Sequence, residues 1–305
     1  MNPREVTALD ILNRNIQILA KQSFQFSEPV KNNYSYQVSV SEGKEKISLN
    51  VFFGKKGNKI VLQGNKELNL YKRVNKIIFG EKLFEDEKPE SEPEYPYIGT
   101  DESGKGDYFG PLVIAGAYIT QETGQYLRTL GIRDSKELSD QQIKQFASAI
   151  KKRNEIIYDV VLISPEKYNQ LYEKLNNLNR LMGWAHARVI ENLLNKCIAS
   201  EVISDKFGNE KLILNALQQK GRLINLKQVT KAEKFTAVAA ASILAREAVI
   251  KWFNIQSRKY KLKIPKGSSS EVEKIANRFL ENYGEEIMSK LVKLHFKTSQ
   301  KIFNK

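Results

Sequence analysis

The sequence predicts an α/β chain in two domains, a small α+β domain followed by a mixed five-stranded sheet flanked by helices. Three observations carry this. Residues 85–96, EDEKPESEPEYP, hold six acidic residues, one lysine and three prolines, a composition that stays extended rather than joining a core. Before this stretch, three β-rich runs lie between two segments of helical spacing. After it, five β-rich runs open with a pair too close together for a helical crossover and then alternate with helical segments, which calls for antiparallel and parallel pairing in one sheet. The chain of 305 residues is thus divided into an N-terminal domain over 1–85, a linker over 86–96 and a main domain over 97–305.

In order along the chain, Val6, Leu9, Ile11, Leu12, Ile16, Ile18 and Leu19 recur with a rough helical period. YSYQVSV (34–40), ISLNVFF (47–53) and KIVLQG (59–64) read as a three-stranded meander, with turns at Glu42-Gly43-Lys44 and Gly54-Lys55-Lys56-Gly57-Asn58. Leu68, Leu70, Val74, Ile77 and Ile78 restore helical spacing over 66–83. Lys55, Lys56 and Lys59 at the second turn either grip phosphates or keep the sheet edge from pairing. In the main domain, YIGTDE (97–102) is a strand leading into the loop Ser103-Gly104-Lys105-Gly106-Asp107, and PLVIAGAYIT (111–120) pairs back on it. Helices follow at 139–152, with Ser139 as cap, and through most of 166–199, with a strand at 155–164 between them. Strands at 201–207 and 222–230 enclose a helix at 209–220, and an alanine-rich helix spans 231–253.

Composition narrows the function. With 41% hydrophobic and 28% charged residues the chain is globular. No apolar run approaches the roughly 20 residues of a membrane span, and the first twenty residues lack a signal-peptide pattern, so a cytoplasmic location is expected. A single cysteine, Cys197, leaves no internal disulfide and no cysteine-based zinc site. Two histidines, His186 and His295, offer little for histidine-based catalysis, which leaves carboxylates for hydrolytic work. The net charge of +14 suits a polyanion, and nucleic acid leads. Both domains share this charge: 14 basic and 7 acidic residues stand in 1–84, and 34 and 22 in 97–305.

The candidate chemistry is acidic. Asp205, set in Val-Ile-Ser-Asp-Lys-Phe, is costly in a strand unless it is paired, reaches solvent or binds a cation. Glu233, at the start of a predicted helix, is also what a helix dipole favours. Asp101 and Glu102 alternate to opposite faces of a strand and reach one site only if the chain bends there, a bend the following glycines supply. Gly99 to Lys105 fits G-x-x-x-x-G-K, but Gly106 replaces the required Ser or Thr and two carboxylates would repel a triphosphate, so a nucleotide-binding loop is set aside. His186 beside Trp184 reads as a packed or hydrogen-bonded structural residue, as does His295.

The run Asp101-Glu102-Ser103-Gly104-Lys105-Gly106-Asp107-Tyr108-Phe109-Gly110 resembles the signature of the type 2 ribonucleases H, and of bacterial ribonuclease HIII in particular. The likeness continues through Asp134-Ser135-Lys136-Glu137-Leu138, the segment from Asn179 to His186, Asp205, Lys231-Ala232-Glu233, Ala237 to Ile243, and Lys293-Leu294-His295-Phe296. It implies a ribonuclease H-like fold, preceded by a substrate-binding module similar to half of the TATA-binding protein fold. It also implies that Asp101, Glu102, Asp205 and Glu233 are catalytic and hold two divalent ions, Mg²⁺ or Mn²⁺, for cleavage of the RNA strand of an RNA/DNA hybrid to 3′-hydroxyl and 5′-phosphate ends. Ser103, Gly104, Lys105, Gly106, Ser135 and Lys136 would then contact substrate. The chain is expected to act as a monomer, with no membrane and no small-molecule cofactor. Lys105 stands where ribonuclease HII has arginine, and the tyrosine with which that enzyme senses a junction is replaced near Gly267-Ser268. The alternatives are cleavage at single ribonucleotides embedded in DNA, as in ribonuclease HII, and a non-catalytic nucleic-acid binder.

Overall fold

The computed structural model describes residues 3–54, 57–80, 92–132 and 135–303. The chain separates into two compact units, Met1–Ser91 and Glu92–Lys305. In the first, helix α1 (Pro3–Leu19) precedes strands β1 (Gln25–Phe26), β2 (Val30–Asn32), β3 (Ser35–Glu42), β4 (Glu45–Gly54) and β5 (Gly57–Gln63), and helix α2 (Asn69–Phe79) closes the unit. The antiparallel sheet runs β1-β3-β4-β5, with β2 also paired to β3. The expected meander is β3-β4-β5, and both turns fall where expected, after Glu42↔Glu45 and Gly54↔Gly57. Five strands replace the expected three, because β1 and β2 are two and three residues long, too short for an alternating pattern to register. Val38, Val40, Leu49 and Val51 share the buried face with Ala8, Leu12, Leu19, Leu70 and Val74 of the two helices. Lys55 and Lys56 lie outside the described residues, as does most of the acidic linker.

In the second unit, strands β6 (Tyr97–Ser103), β7 (Leu112–Ile119), β8 (Ile157–Ile163), β9 (Glu201–Asp205) and β10 (Asn225–Val229) form the expected mixed sheet in the order β10-β9-β6-β7-β8. β9 runs parallel to both neighbours, while β6, β7 and β8 are antiparallel. Its helices are α3 (Gln121–Thr129), α4 (Asp140–Lys152), α5 (Pro165–Leu175), α6 (Leu178–Leu194), α7 (Lys211–Leu214), α8 (Thr236–Lys259), α9 (Ser270–Ser289) and α10 (Lys297–Phe303). Alternation along β7 sends Val113, Ala115 and Ala117 to a core shared with α8, and Leu112 and Ile114 to a second core shared with α6. The alanines of α8 allow it to lie very close to the sheet: a Cβ on Gly99 would sit 2.3 Å from the backbone of Ala237 and Val238.

Several boundaries differ from expectation. The segment 166–199 breaks where Asn176 ends α5 in the left-handed conformation (φ 45°) and Asn177 caps α6 by accepting from the Arg180 N–H. The predicted helix at 209–220 is only the four residues of α7, followed by a 3₁₀ turn at Gly221–Leu223. The alanine-rich helix begins at Thr236, not 231, because Lys231 is left-handed (φ 57°) and a separate 3₁₀ turn spans Ala232–Lys234. Residues 92–96, assigned to the linker by sequence, join the second unit. Glu92 accepts the Thr236 N–H at 2.9 Å and both the Thr236 and Tyr97 hydroxyls, with Arg128 at 3.8 Å. An acidic linker residue thus caps the N-terminus of α8, which has no cap from its own Phe235.

Candidate active site

Strand pairing creates the site. The parallel ladder between β6 and β9 runs from Ile98↔Val202 to Thr100↔Ser204 and stops, while β6 stays paired with β7 as far as Ser103↔Val113. Past Thr100 the strand is open on one side, leaving a cleft of about 410 Å³ at the carboxyl ends of the parallel strands. Asp101, Glu102 and Asp205 line it. The expected bend between Asp101 and Glu102 is absent: β6 continues through Ser103, and the chain turns at Gly104 (φ +84°), where a Cβ would lie 2.2 Å from the Pro111 carbonyl. Both acids reach the cleft because the strand has lost a neighbour, not because it is kinked.

The carboxylates are electrostatically unequal. Burial pushes the Asp101 carboxyl well above its ordinary range, and the negative charges of Glu102 and Asp205 push in the same direction. Burial acts likewise on Glu102, but the His186 ring and Lys105, whose Nζ is 3.5 Å from Oε1, outweigh it and hold this carboxyl low. Asp205 ends β9 and accepts the Ala232 N–H at 3.1 Å, which ties β9 to the 3₁₀ turn carrying Glu233. Glu233 itself is half-buried and is not among the residues that line the cleft. It precedes α8 instead of standing in its first turn, so the dipole explanation for it falls away.

The predicted substrate residues Ser103, Gly104, Lys105, Gly106, Ser135 and Lys136 all border the cleft. The structure adds Asp107, Arg246 and Lys266. Arg246 donates to the Ser135 carbonyl and, at 3.3 Å, to Asp140, which also accepts from Lys266 at 2.9 Å. Asp107 accepts the Gly267 N–H at 2.5 Å, and the Tyr108 N–H donates to the Gly267 carbonyl. No sequence signal marked either cation: Arg246 is one charge on an alanine-rich helix, where Val249 one turn on lines the same wall, and Lys266 lies far from the motif in sequence. Behind the loop, Lys293 is fully buried, and its ammonium donates to the carbonyls of Asp107 (2.7 Å) and Gly110 (2.6 Å). His186 is buried and hydrogen-bonded, as expected; His295 stacks on Tyr172 at 4.3 Å.

The donor set suits a hard divalent cation. It consists of oxygen ligands, and burial together with the negative charges of Glu102 and Asp205 raises the Asp101 carboxyl, a cost that a bound cation would relieve. Among the described residues, no group of three or more histidine, cysteine, aspartate or glutamate side chains is already arranged to hold a metal ion.

Acids at the open ends of parallel strands, beside a glycine loop with basic residues around it, define a nuclease-like site, and the comparisons agree. Residues 98–299 match the family described as Ribonuclease HII. A Ribonuclease HIII from Protochlamydia amoebophila is 47% identical over 210 residues, covering 69% of each chain; one from Chlamydia felis is 46% identical, covering 68% of this chain and 69% of that one. Among solved structures, Bst-RNase HIII in complex with Mn²⁺ is similar at a TM-score of 0.66 and 25% identity, covering 96% of both chains. The Aquifex aeolicus RNase H3 structure is similar at 0.55 and 28%, covering 94% of this chain and 97% of that one. The chain belongs to the type 2 ribonuclease H family, among the ribonucleases HIII, and is a ribonuclease H, an endonucleolytic hydrolase. Among the described residues, no helix is long and apolar enough to cross a membrane.

Proposed function

We propose that the chain hydrolyses the RNA strand of RNA/DNA hybrids, leaving 3′-hydroxyl and 5′-phosphate ends, with two divalent cations, Mg²⁺ or Mn²⁺, held by Asp101, Glu102, Asp205 and Glu233. The observation that carries this is the meeting of Asp101, Glu102 and Asp205 at the open end of β6, with Lys105, Lys136, Arg246 and Lys266 around the same cleft. Bound cations would supply a water acidic enough to attack at neutral pH and would stabilise the charge of the leaving oxygen. The chain's own contribution is placement. Lys105 and Lys136 draw the phosphodiester in, and the Gly104–Gly106 backbone comes close enough to read the 2′-hydroxyl that separates RNA from DNA. Asp140 pairs with both Lys266 and Arg246 at the rim of the cleft. Glu233 does not line the cleft, and its place in the ligand set rests on the family resemblance and on the turn that Asp205 anchors beside it.

The test is cleavage of end-labelled hybrid, all-DNA duplex and a duplex with one embedded ribonucleotide, each with Mg²⁺, Mn²⁺ or EDTA. Metal-dependent cutting within continuous RNA is expected. Cutting mainly at the single ribonucleotide would move the reading toward ribonuclease HII, and no cutting under any metal would overturn it. Asp101→Asn is expected to abolish turnover and to keep hybrid binding; a fully active variant would remove Asp101 from the site.

A further inference from the structure

Beneath the carboxylates lies a buried polar group that the chemistry above does not use. Thr100 and Ser204 are register partners on β6 and β9, each one residue before an aspartate of the cleft, and both are completely buried. Alternation turns their side chains to the face opposite Asp101 and Asp205, toward α6. There both hydroxyls meet one atom: His186 Nδ1 stands 3.0 Å from Thr100 Oγ1 and 3.4 Å from Ser204 Oγ. The imidazole has no exposed surface and stacks on Phe207, centroids 4.9 Å apart and planes 20° apart. Its other nitrogen, Nε2, faces Glu102 Oε2 at 3.5 Å. Among the described residues neither of these two atoms has a hydrogen-bond partner, so each is the only polar group on hand for the other.

For the neutral ring this arrangement fixes the tautomer: the carboxylate opposite Nε2 calls for the proton on that nitrogen, so Nδ1 is the acceptor. Ser204 directs its hydroxyl hydrogen to the Asp205 carbonyl at 3.2 Å, which leaves Thr100 as the donor to Nδ1. The two strands therefore grip the ring from below, and the ring meets one oxygen of Glu102 while Oε1 stays on the Lys105 side.

We infer that His186 is a positioning residue for metal binding: held by Thr100, Ser204 and Phe207, it fixes the Glu102 carboxylate so that one oxygen is presented to a divalent cation. The inference rests on the reading of Glu102 as a metal ligand. Groups behind a ligand typically govern metal affinity by 10- to 100-fold.

The experiment is titration of the full chain with Mn²⁺ alone, following free Mn²⁺ by its electron paramagnetic resonance signal, with hybrid binding in EDTA measured alongside. His186→Leu, which keeps an apolar body against Phe207, is expected to weaken Mn²⁺ binding about 10- to 100-fold and leave metal-free hybrid binding unchanged. His186→Gln, which can still donate toward Glu102, is expected to recover most of the affinity. Thr100→Val, which frees Nδ1 with little change of shape, is expected to weaken Mn²⁺ binding several-fold and decides the matter if His186→Leu does not fold. Wild-type Mn²⁺ affinity in a folded His186→Leu or Thr100→Val protein would overturn the inference. Glu102→Gln separates the two readings: if it leaves Mn²⁺ affinity unchanged, Glu102 is not a ligand, whereas loss in Glu102→Gln with none at His186 sinks only the positioning role.

Discussion

Lys293 is fully buried, its ammonium donating to two carbonyls and lying 5.7 Å from the centre of the Tyr168 ring. Burial lowers its pKa to about 7, against the ordinary 10.5. A lysine depressed on folding binds more protons in the unfolded chain between those two values, so its burial costs stability below about pH 7 and the cost is relieved as the pH rises toward about 10. The slope from this one group approaches 1.4 kcal/mol per pH unit, as an order-of-magnitude figure. Chemical denaturation from pH 7 to 10 is expected to show that rise, and Lys293→Met is expected to remove it. The same residue shows what sequence conveys at this scale. Lys293 could be quoted as part of a family signature, yet its place between Val292 and Leu294 did not reveal that it bolts down the loop, because its partners lie 183 and 186 positions away. Asp101 and Glu102 were singled out by the resemblance of their run to the family signature and Asp205 also by the cost of an acid in an apolar strand, and the structure brings the three to one cleft. The meeting of Arg246 and Lys266 at Asp140 was not legible, since that contact depends on how α8 and the 266–268 segment pack.

Elements of regular length were read well and short ones were not. β6 and β7 pair antiparallel as expected, and the Ser139 cap of α4 is present with Gln142 reciprocating. Two of the boundary errors share one cause: periodicity continues through a left-handed residue without registering it, as at Asn176 and Lys231. The helices α3, α9 and α10 were not anticipated. Close packing of α8 on β6 gives a direct test. Gly99→Ala places a methyl 2.3 Å from the Ala237 backbone, so the helix must retreat from the strand that carries Asp101. About 1–3 kcal/mol of stability is expected to be lost, read by denaturant midpoint, together with activity. Gly104→Ala is expected to be worse for activity than for stability, because both its φ and the Pro111 carbonyl oppose a side chain in the loop beside the carboxylates.

At the scale of the molecule, the first unit has its own core and a basic balance, as expected of a module that helps grip a polyanion. Deleting residues 1–85 is expected to weaken hybrid binding and flatten its dependence on salt, measured by titration at several ionic strengths; an unchanged slope would assign the module another task. The overall plan was legible because an acidic, proline-punctuated stretch cannot be mistaken for core. Its far end was misread for the same reason: composition describes an average, and Glu92 and Tyr95 pack onto the second unit. By accepting from Thr236, this single carboxylate belongs functionally to a helix 144 positions away. Where the chain is cut therefore matters by a few residues. A fragment starting at Ser91 carries the cap with it, whereas one starting at Tyr97 leaves the first amide of α8 and the hydroxyl hydrogens of Thr236 and Tyr97 without their acceptor. At about 1 kcal/mol for a lost cap, the shorter fragment is expected to melt roughly 2–4 °C lower, and a protease that nicks the acidic stretch costs the enzyme little or much according to which side of Glu92 it cleaves.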